Sequence, residues 1–534
     1  MAEPPDGSIP GPGEARDGGS VVADEATEGA GPAVPVKASG SASHLRGSAL
    51  LLGGRVMALA VDFAGHVLVV RYLAKETFGA YSFALGLATL LYTAMLLGLP
   101  DTLARYVPIY RERGEAGKVV GAAVASVATV AVAGAAWVAF VALFPELTAR
   151  LLGSAQTGAL LGILIFVVPL EAVNAVFQAL FAALGRVRAI FLRQYVLVPG
   201  LRFAVVALLV GAGYSVTFLA AGYVLTSVVG LLFYASGLLR RGRSVRDRVR
   251  SRIEVPVREL VTFALPVFVS ALLMLTLFGL GTIVLGLMQG PAEVAEFQVV
   301  ERPARLNLLI YSVFAVLYVP TAAGLYARGD LSGLRHAYNA STLWMLVLGL
   351  PGLLLTTVFA PVFVPAVFGE RYASSAVVLI LLSAAYFSFV GAGPNGPTLK
   401  VFRRLRATIV IDVSTLALGF VLIVALVPMA GATGAALGTL GAVLTRNVML
   451  RLVLRRVMGG SVLGAEYLRL ALGVAAILGA LSGLQLVVDV NLVVAILLSG
   501  AAGLGVLFAA RRVLDVGGTF PELQRLPLPG FLRP

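Results

Sequence analysis

From residue 48 to residue 510 the chain is a succession of long apolar stretches separated by short loops that carry most of its basic residues. A membrane-spanning helix needs about 20 mostly apolar residues, and most of these stretches reach that length. They are too long and too uniformly apolar for the roughly 10-residue alternating strands of a membrane β-barrel. The pattern therefore predicts an all-α polytopic membrane protein with about fourteen transmembrane helices.

Composition supports a bilayer as the solvent of this chain. Of its 534 residues, 59% are hydrophobic and 13% are charged, and the mean hydropathy is +0.94. A soluble domain has about 45–50% apolar and about 25% charged residues. The chain has no cysteine, and His44, His66 and His336 are far apart, so we expect neither a metal site nor a cofactor.

The basic residues alternate between loops, which predicts the topology. The rich loops lie at residues 105–118, 186–193, 240–252, 328–335, 400–406 and 451–456. The loops between them hold few basic residues, such as Arg71, Lys75 and Arg150. Cytoplasmic loops carry an excess of Lys and Arg, so we expect an even number of spans in the cytoplasmic membrane, with both termini cytoplasmic. We therefore attribute the net charge of +14 to membrane topology and to contact with anionic lipids, rather than to binding of nucleic acid.

An internal repeat relates the two parts of the chain. Phe78 to Tyr81, at the start of the second span, matches Val294 to Phe297 at the start of the eighth, and Pro100 and Pro320 are interpreted as the ends of those spans. Six spans separate the matched elements, so the two copies have the same orientation. Parallel repeats of this kind hold substrate between two bundles in many transporters.

The predicted organisation follows from the spans, the repeat and the polar segments. It has six parts: a disordered cytoplasmic tail (1–44), a six-helix lobe (45–238), a basic cytoplasmic linker (239–258), a second six-helix lobe (259–458), two additional transmembrane helices (459–512) and a cytoplasmic tail (513–534).

Ionisable residues inside the predicted spans are the first candidates for a functional site, since each costs about 2.5–3.5 kcal/mol at a helix centre by insertion scales. In the first span Arg55 and Asp62 lie two turns apart on one face, and His66 follows one turn later. We interpret this face as a cavity wall with Arg55 directed toward an anionic group. The alternative for Arg55 is that it extends from the helix end toward the membrane surface.

The eighth and fifth spans add further charged candidates. Glu301, Arg302 and Arg305 lie well below the end of the eighth span, and we interpret them as cavity residues, with an internal salt bridge of Glu301 as the alternative. Arg202 lies inside the fifth span, where cavity lining and a helix-packing pair are equally compatible with the sequence. Guanidinium groups offer paired donors and stay charged when buried, which suits an anionic ligand.

Polar residues in two other spans are weaker candidates. Glu171, Asn174 and Gln178 form a stripe on one face of the fourth span, which predicts either cavity lining or polar contacts within the lobe. Asp412 in the eleventh span is expected to face inward, and coupling to a proton or sodium ion is one role for it.

Several short motifs, in order along residues 48–458, resemble those of the polysaccharide (oligosaccharide or O-antigen-type) flippase family. They are FGAYS at 78–82, LGLP at 97–100, FALP at 263–266, VFGERY at 367–372 and GATGAA at 431–436. This family belongs to the superfamily of multidrug, oligosaccharidyl-lipid and polysaccharide exporters. The chain departs from the pattern at Ala295 to Phe297, where the family usually has a small-residue turn ending in Tyr.

The resemblance implies a two-lobed bundle that flips a polyprenyl-pyrophosphate-linked oligosaccharide outward by alternating access. The alternative is a cation-coupled multidrug exporter of the same superfamily, which would favour acidic cavity residues. No pattern of an enzyme site is recognised, so we expect no catalytic residues. The expected partners are the lipid-linked glycan and membrane lipids, with polysaccharide-assembly proteins as candidates, and the expected state is a monomer.

Overall fold

The structure is a computed structural model that describes residues 41–248, 253–460 and 464–510. The chain divides into two compact units at Leu50, and of the first unit only the opening turns of the first helix are described. All regular secondary structure in the described residues is helical, as the apolar stretches predict. The predicted tails and part of the linker, residues 1–40, 249–252 and 511–534, lie outside the described residues.

Ten α-helices make up the first half of the molecule. They are α1 (Ser41–Tyr72), α2 (Lys75–Leu96), α3 (Leu99–Glu112), α4 (Ala116–Leu143), α5 (Pro145–Leu151), α6 (Ala155–Leu164), α7 (Val167–Ala183), α8 (Val187–Phe191), α9 (Val198–Ala212) and α10 (Val216–Arg248). A π-helical turn, Leu192–Leu197, joins α8 to α9. Because α10 continues to Arg248, the first ten residues of the predicted linker are helical.

The second half comprises eight α-helices, and two more follow it. They are α11 (Val257–Met288), α12 (Pro291–Arg305), α13 (Asn307–Ala327), α14 (Leu331–Thr356), α15 (Ala360–Phe368), α16 (Ser375–Ala392), α17 (Asn395–Val401), α18 (Leu405–Met458), α19 (Ala465–Gln485) and α20 (Leu492–Ala510). The last two helices pack mainly against α14.

Twelve helical segments within the described residues are long and apolar enough to cross a membrane. The predicted all-helical polytopic class is confirmed, but this number is lower than the predicted fourteen, and the way two helices are counted accounts for the difference. First, α18 counts once although its 54 residues would extend about 81 Å, far beyond the about 30 Å of a hydrocarbon core. Second, α11 is not among the twelve, since only its part Phe278–Met288 counts, as a shorter apolar helix.

A kink divides α18 into two arms at Ala430 and Gly431, whose backbone angles are non-helical. The backbone N–H of Ala432 donates to Glu293 Oε2 at 2.7 Å, so the second arm begins on a carboxylate. Gly431 has φ +50°, and a Cβ atom there would lie 2.2 Å from the same Oε2. The kink therefore requires glycine, both for its backbone angles and for the approach of Glu293.

The two halves meet where α2 packs against α11 and α12. At Gly79 the approach is so close that a Cβ atom would lie 1.8 Å from the carbonyl oxygen of Pro291. Segments 78–81 and 294–297, matched as a repeat in the sequence, thus lie on two helices that contact each other. Pro100 stands at a helix boundary, since α2 ends at Leu96 and Pro100 lies in the first turn of α3. The interpretation of Pro320 as a helix end is wrong, because it lies inside α13, and membrane helices tolerate proline.

Candidate functional site

A cavity of about 230 Å³ lies between the two halves, lined by α1, α2, α9, α10, α11 and α12. Six of the eleven residues proposed from the sequence line it: Asp62, His66, Arg202, Glu301, Arg302 and Arg305. The charged side chains come from three helices that are distant in sequence, so the fold brings them together.

The position of His66 follows from a proline on the opposite wall. Pro303 has no backbone N–H, so the carbonyl of Val299, four residues earlier, lacks its usual α-helical donor. His66 Nε2 lies 3.1 Å from that carbonyl oxygen. Because a carbonyl only accepts, Nε2 carries the proton. His66 is buried and contacts the rings of Phe78 and Phe368, so it joins α1 to α12 as a satisfied interior histidine.

Two arginines lie at the carboxyl end of α12, where the helix is interrupted at Leu306. Arg305 pairs with Glu301 one turn earlier, with 2.5 Å between Nη2 and Oε1. Arg302 donates instead to the backbone oxygen of Asp62 at 3.5 Å. In the part of the chain that the structure describes, no ion pair joins Arg302 to a carboxylate. Its charge therefore remains available on the cavity wall.

A second charged group lies behind the α9 wall. Glu171 on α7 accepts from Arg193 at 3.1 Å and from the hydroxyl of Ser227 at 2.8 Å. Arg202, which faces the cavity, lies 3.6 Å from the other oxygen of Glu171. One carboxylate is thus shared by two guanidinium groups. The cavity itself has three arginines and two carboxylates, a balance that favours an anion.

The remaining predicted residues lie elsewhere. Arg55 is exposed on α1, two turns before Asp62, and does not line the cavity. Asn174 is buried and donates to the backbone oxygen of Ser227 at 3.2 Å, so the stripe on α7 makes contacts within the first half. Gln178 is partly buried on the same helix. Asp412 pairs with Arg446 on the other arm of α18, and neither residue lines the cavity.

Sequence reasoning missed several residues of this site. Gln298 and Thr282, which hydrogen bond at 2.5 Å, add neutral polar groups to the wall. Tyr81 and Tyr223 place their rings edge to face at 6.1 Å in the same cavity. Arg193 was counted among the topology-setting loop charges. Its location inside the apolar run 190–212 was the available signal that it lies within the bundle.

At one end of the cavity, polar contacts join the two halves. We call Arg71, Lys75, Glu296 and Arg371 the clasp. Arg71 Nε donates to the carbonyl of Val367 at 2.7 Å, and Arg371 donates to the carbonyls of Val70 and Leu73, the latter at 2.8 Å. Lys75 pairs with Glu296, which also accepts from Ser374 at 2.9 Å. The end of α1 is thereby bound to the segment between α15 and α16.

Contacts between the halves also lie at the opposite end of the cavity, among the residues that the structure describes. Tyr110 on α3 donates to Glu259 at 2.6 Å, and the backbone N–H of Glu254 donates to the carbonyl of Gly117 at 3.4 Å. Arg105 lies over the ring of Phe263 at 4.6 Å. Both ends of the cavity are therefore bounded by contacts between the first and second halves.

Comparison with known families identifies the chain. The family described as "Polysaccharide biosynthesis protein" matches residues 44–325, more than half of the sequence. The chain belongs to this family. As a member of it, this protein is a multi-pass membrane transporter in a polysaccharide biosynthesis family, and the resemblance drawn from its sequence motifs is confirmed. No curated protein sequence matches it at a significant level.

Solved structures show the same fold at low sequence identity. The lipid II flippase MurJ in an inward closed conformation has a TM-score of 0.66 at 14% identity, covering 87% of this chain and 100% of its own. An inward-facing multidrug resistance MATE family transporter of the MOP superfamily has a TM-score of 0.64 at 16% identity, covering 76% and 94%. An outward-facing conformation of such a transporter has a TM-score of 0.53 at 16% identity, covering 78% and 95%. The polysaccharide biosynthesis protein therefore has a MATE/MurJ-like fold.

Proposed function

We propose that this protein translocates a polyprenyl-pyrophosphate-linked oligosaccharide across the cytoplasmic membrane by alternating access. The observation that carries the proposal is Arg302, which faces the cavity with no carboxylate partner among the described residues. A guanidinium in a partly dry cavity binds phosphate oxygens through paired charge-assisted hydrogen bonds. The family match and the fold shared with a lipid II flippase support this substrate class.

The architecture that we propose has fourteen spans in two parallel six-helix lobes, 45–238 and 259–458, with α19 and α20 added. In this arrangement α11 crosses once and each arm of α18 crosses once. The basic loops then lie on the cytoplasmic side with both termini. The clasp lies at the loops that hold few basic residues, so in this arrangement it is on the external side.

The size of the cavity limits what it holds in this state. At about 230 Å³ it is smaller than the about 300–1,000 Å³ of common small-molecule pockets. A phosphate-bearing headgroup fits this volume better than an oligosaccharide does. The glycan therefore passes only when the halves separate at one end, while the lipid tail remains in the bilayer. In this proposal the clasp opens for release on the external side.

The test is transport in proteoliposomes of a fluorescent polyprenyl-pyrophosphate sugar, with exposure scored by an outside-only quencher. We expect Arg302→Gln to lower the initial rate about 10- to 100-fold, since it removes a charge-assisted contact to phosphate. The matched control is Arg406→Gln, at an exposed arginine near the start of α18, which removes the same charge outside the cavity. Equal rates for wild type and Arg302→Gln would reject the assignment.

The alternative is a cation-coupled multidrug exporter, and one observation favours it. Asp62 faces the cavity, and no ion pair joins its carboxylate to a described residue, although Arg202 and Arg302 line the same space. An exposed carboxylate is the group that an organic cation would contact. Efflux of a fluorescent organic cation, abolished in Asp62→Asn and unaffected in Arg302→Gln, would move the assignment to this class.

A further inference from the structure

Arg193 lies inside the first half rather than in a loop. It is 5% exposed and stands on the π-helical turn Leu192–Leu197. Such turns are uncommon within helices and occur frequently at functional sites. The guanidinium carbon lies 5.0 Å from the ring centre of Tyr234. Arg193 is not part of the cavity wall, so it acts on the cavity only through a neighbour.

That neighbour is Glu171, which lies between Arg193 and the cavity arginine Arg202. The distance from Arg193 Nη2 to Glu171 Oε2 is 3.1 Å, and the distance from Arg202 Nη2 to Glu171 Oε1 is 3.6 Å. The side chain of Arg193 is 6% exposed and that of Arg202 is 29% exposed. The pair with Arg193 is shorter and drier, so it is the stronger of the two.

Because Glu171 is shared by two arginines, it neutralises only part of the charge that Arg202 presents to the cavity. One carboxylate balances one guanidinium, and two guanidinium groups around it leave one positive charge in excess. Because Arg193 is the inner partner, the excess is located at Arg202, on the cavity side. If Arg193 were neutral, Glu171 would pair fully with Arg202, and the wall would lose its charge at this point.

We propose that Arg193 is a positioning residue for anion recognition: it holds Glu171, so that Arg202 keeps its charge for the phosphates of a pyrophosphate headgroup. This inference rests on the proposed function, since it deepens the assignment of an anionic substrate. Arg302 supplies the first anion-binding contact and Arg202 the second, while the carboxylate of Asp62 in the same cavity offsets one of their two charges. Arg305 supplies none, because Glu301 matches it one to one.

The experiment measures binding of inorganic pyrophosphate to the purified full chain in detergent by titration calorimetry, alongside transport of the fluorescent polyprenyl-pyrophosphate sugar. Arg193→Gln is expected to weaken pyrophosphate binding about tenfold and to raise the transport KM similarly, with kcat within about twofold. The double variant Glu171→Gln/Arg193→Gln restores the excess charge at Arg202. Its affinity is expected to return to within about threefold of wild type.

The double variant distinguishes an electrostatic role of Arg193 from a role in packing alone. If Arg193 only stabilises the fold, the double variant binds pyrophosphate as weakly as Arg193→Gln or more weakly, and that outcome overturns the inference. If Arg193→Gln is not recovered folded, the double variant alone decides, since wild-type affinity without either charge supports the inference and lost affinity rejects it. Absence of pyrophosphate binding by wild type also rejects it.

The two readouts also separate this inference from the proposed function. If pyrophosphate binding follows the expected order and no lipid-linked substrate moves, the proposed transport function is rejected and the role of Arg193 stands. If wild type transports the substrate and the double variant shows no rescue of binding, the inference alone is rejected. Arg193→Lys, which keeps the charge, is expected to bind pyrophosphate more tightly than Arg193→Gln.

Discussion

The two halves of the molecule each bury a carboxylate against arginine, but in different proportions. In the first half Glu171 is shared by Arg193 and Arg202. In the second half Asp412 Oδ1 pairs with Arg446 Nε alone, at 2.8 Å, with side chains 4% and 8% exposed. A one-to-one pair leaves no net charge for a ligand. A two-to-one cluster with one member on a cavity wall leaves a positive charge that an external anion can use.

The one-to-one pair of Asp412 and Arg446, which we call the closed pair of the second half, has a structural role. It joins the two arms of α18, and the guanidinium carbon of Arg446 lies 5.7 Å from the ring centre of Phe389. The neighbouring Asn447 donates to Ser388 at 2.8 Å, which ties the same arm to α16. Coupling of Asp412 to a proton or sodium ion stays a prediction, since any such ion must compete with Arg446 for the carboxylate.

The largest effect is expected from breaking the closed pair. Asp412→Ala leaves Arg446 as an unpaired charge in a dry environment, which typically costs about 3–5 kcal/mol. We expect a large fall in the Tm of the detergent-solubilised protein, which intrinsic fluorescence or a thermal-shift assay measures. Asp412→Leu/Arg446→Met removes both charges and is expected to recover most of the loss. A double variant no more stable than Asp412→Ala would show that the pair is not the cause.

The next effect concerns the clasp, where arginines pair with backbone carbonyls rather than with carboxylates. Arg371→Met removes the donor to Val70 and Leu73, so the halves are expected to separate more often at this end. The chain has no cysteine, so a single Ser82→Cys substitution on the cavity wall gives a clean probe. We expect its labelling by a membrane-impermeant maleimide to be about tenfold faster in the Arg371→Met background, a change that corresponds to about 1.4 kcal/mol.

The matched control for that measurement is Arg406→Gln in the same Ser82→Cys background, which removes an exposed arginine outside the interface. An unchanged labelling rate in Arg371→Met would mean that the clasp does not control access to the cavity. A rate that rises equally in the control would point to a general loss of stability.

A smaller effect is expected from removing the one-to-one pair of Glu301 and Arg305 inside the cavity. Glu301→Gln/Arg305→Gln removes a matched pair and leaves Arg302 and Arg202 unchanged. Because the net charge of the cavity is the same, we expect the transport rate of the pyrophosphate-linked sugar to stay within about threefold of wild type. A loss as large as that of Arg302→Gln would show that a matched arginine contributes as much as an unmatched one, and it would break the comparison.

The smallest effect is expected at a carboxylate with no arginine partner in an ion pair. Asp330 precedes α14 and accepts from the backbone N–H of Gly333 at 2.7 Å and from Ser332 at 2.8 Å. These hydrogen bonds lower the pKa of Asp330 below its usual value. Its stabilising contribution is therefore present above the pKa of the unfolded state and is lost as pH falls through the lower folded-state pKa.

We accordingly expect Asp330→Ala to lower Tm slightly near neutral pH, with a difference from wild type that shrinks in acid. Thermal melts of both proteins between neutral and acidic pH check this. A difference that grows on acidification would contradict the assigned direction. This test measures the effect of hydrogen-bond donors on the partly exposed carboxylate of Asp330, and the Asp412 test measures the effect of a guanidinium on a buried one.

Sequence reasoning predicted the helical class, the family and six cavity residues, because apolar runs and intramembrane charges are local signals. It missed Arg193 and the pairing of Asp412 with Arg446, because partner choice depends on how helices separated by many residues pack. It also assigned Pro320 to a helix end, although this proline lies inside α13. Arg55, on the same helical face as Asp62 by spacing, does not reach the cavity, since periodicity gives a face but not its depth.

The hydrogen bond between His66 and the carbonyl of Val299 couples hydration to movement. His66 belongs to the first half and Val299 to the second, and Pro303 deprives that carbonyl of its usual α-helical donor. A peptide oxygen without a donor is costly in a dry interior. If the halves part at this level, as the proposed alternating access requires, water must replace His66 at the carbonyl of Val299. One proline in the sequence would thus tie the opening of the cavity to its hydration.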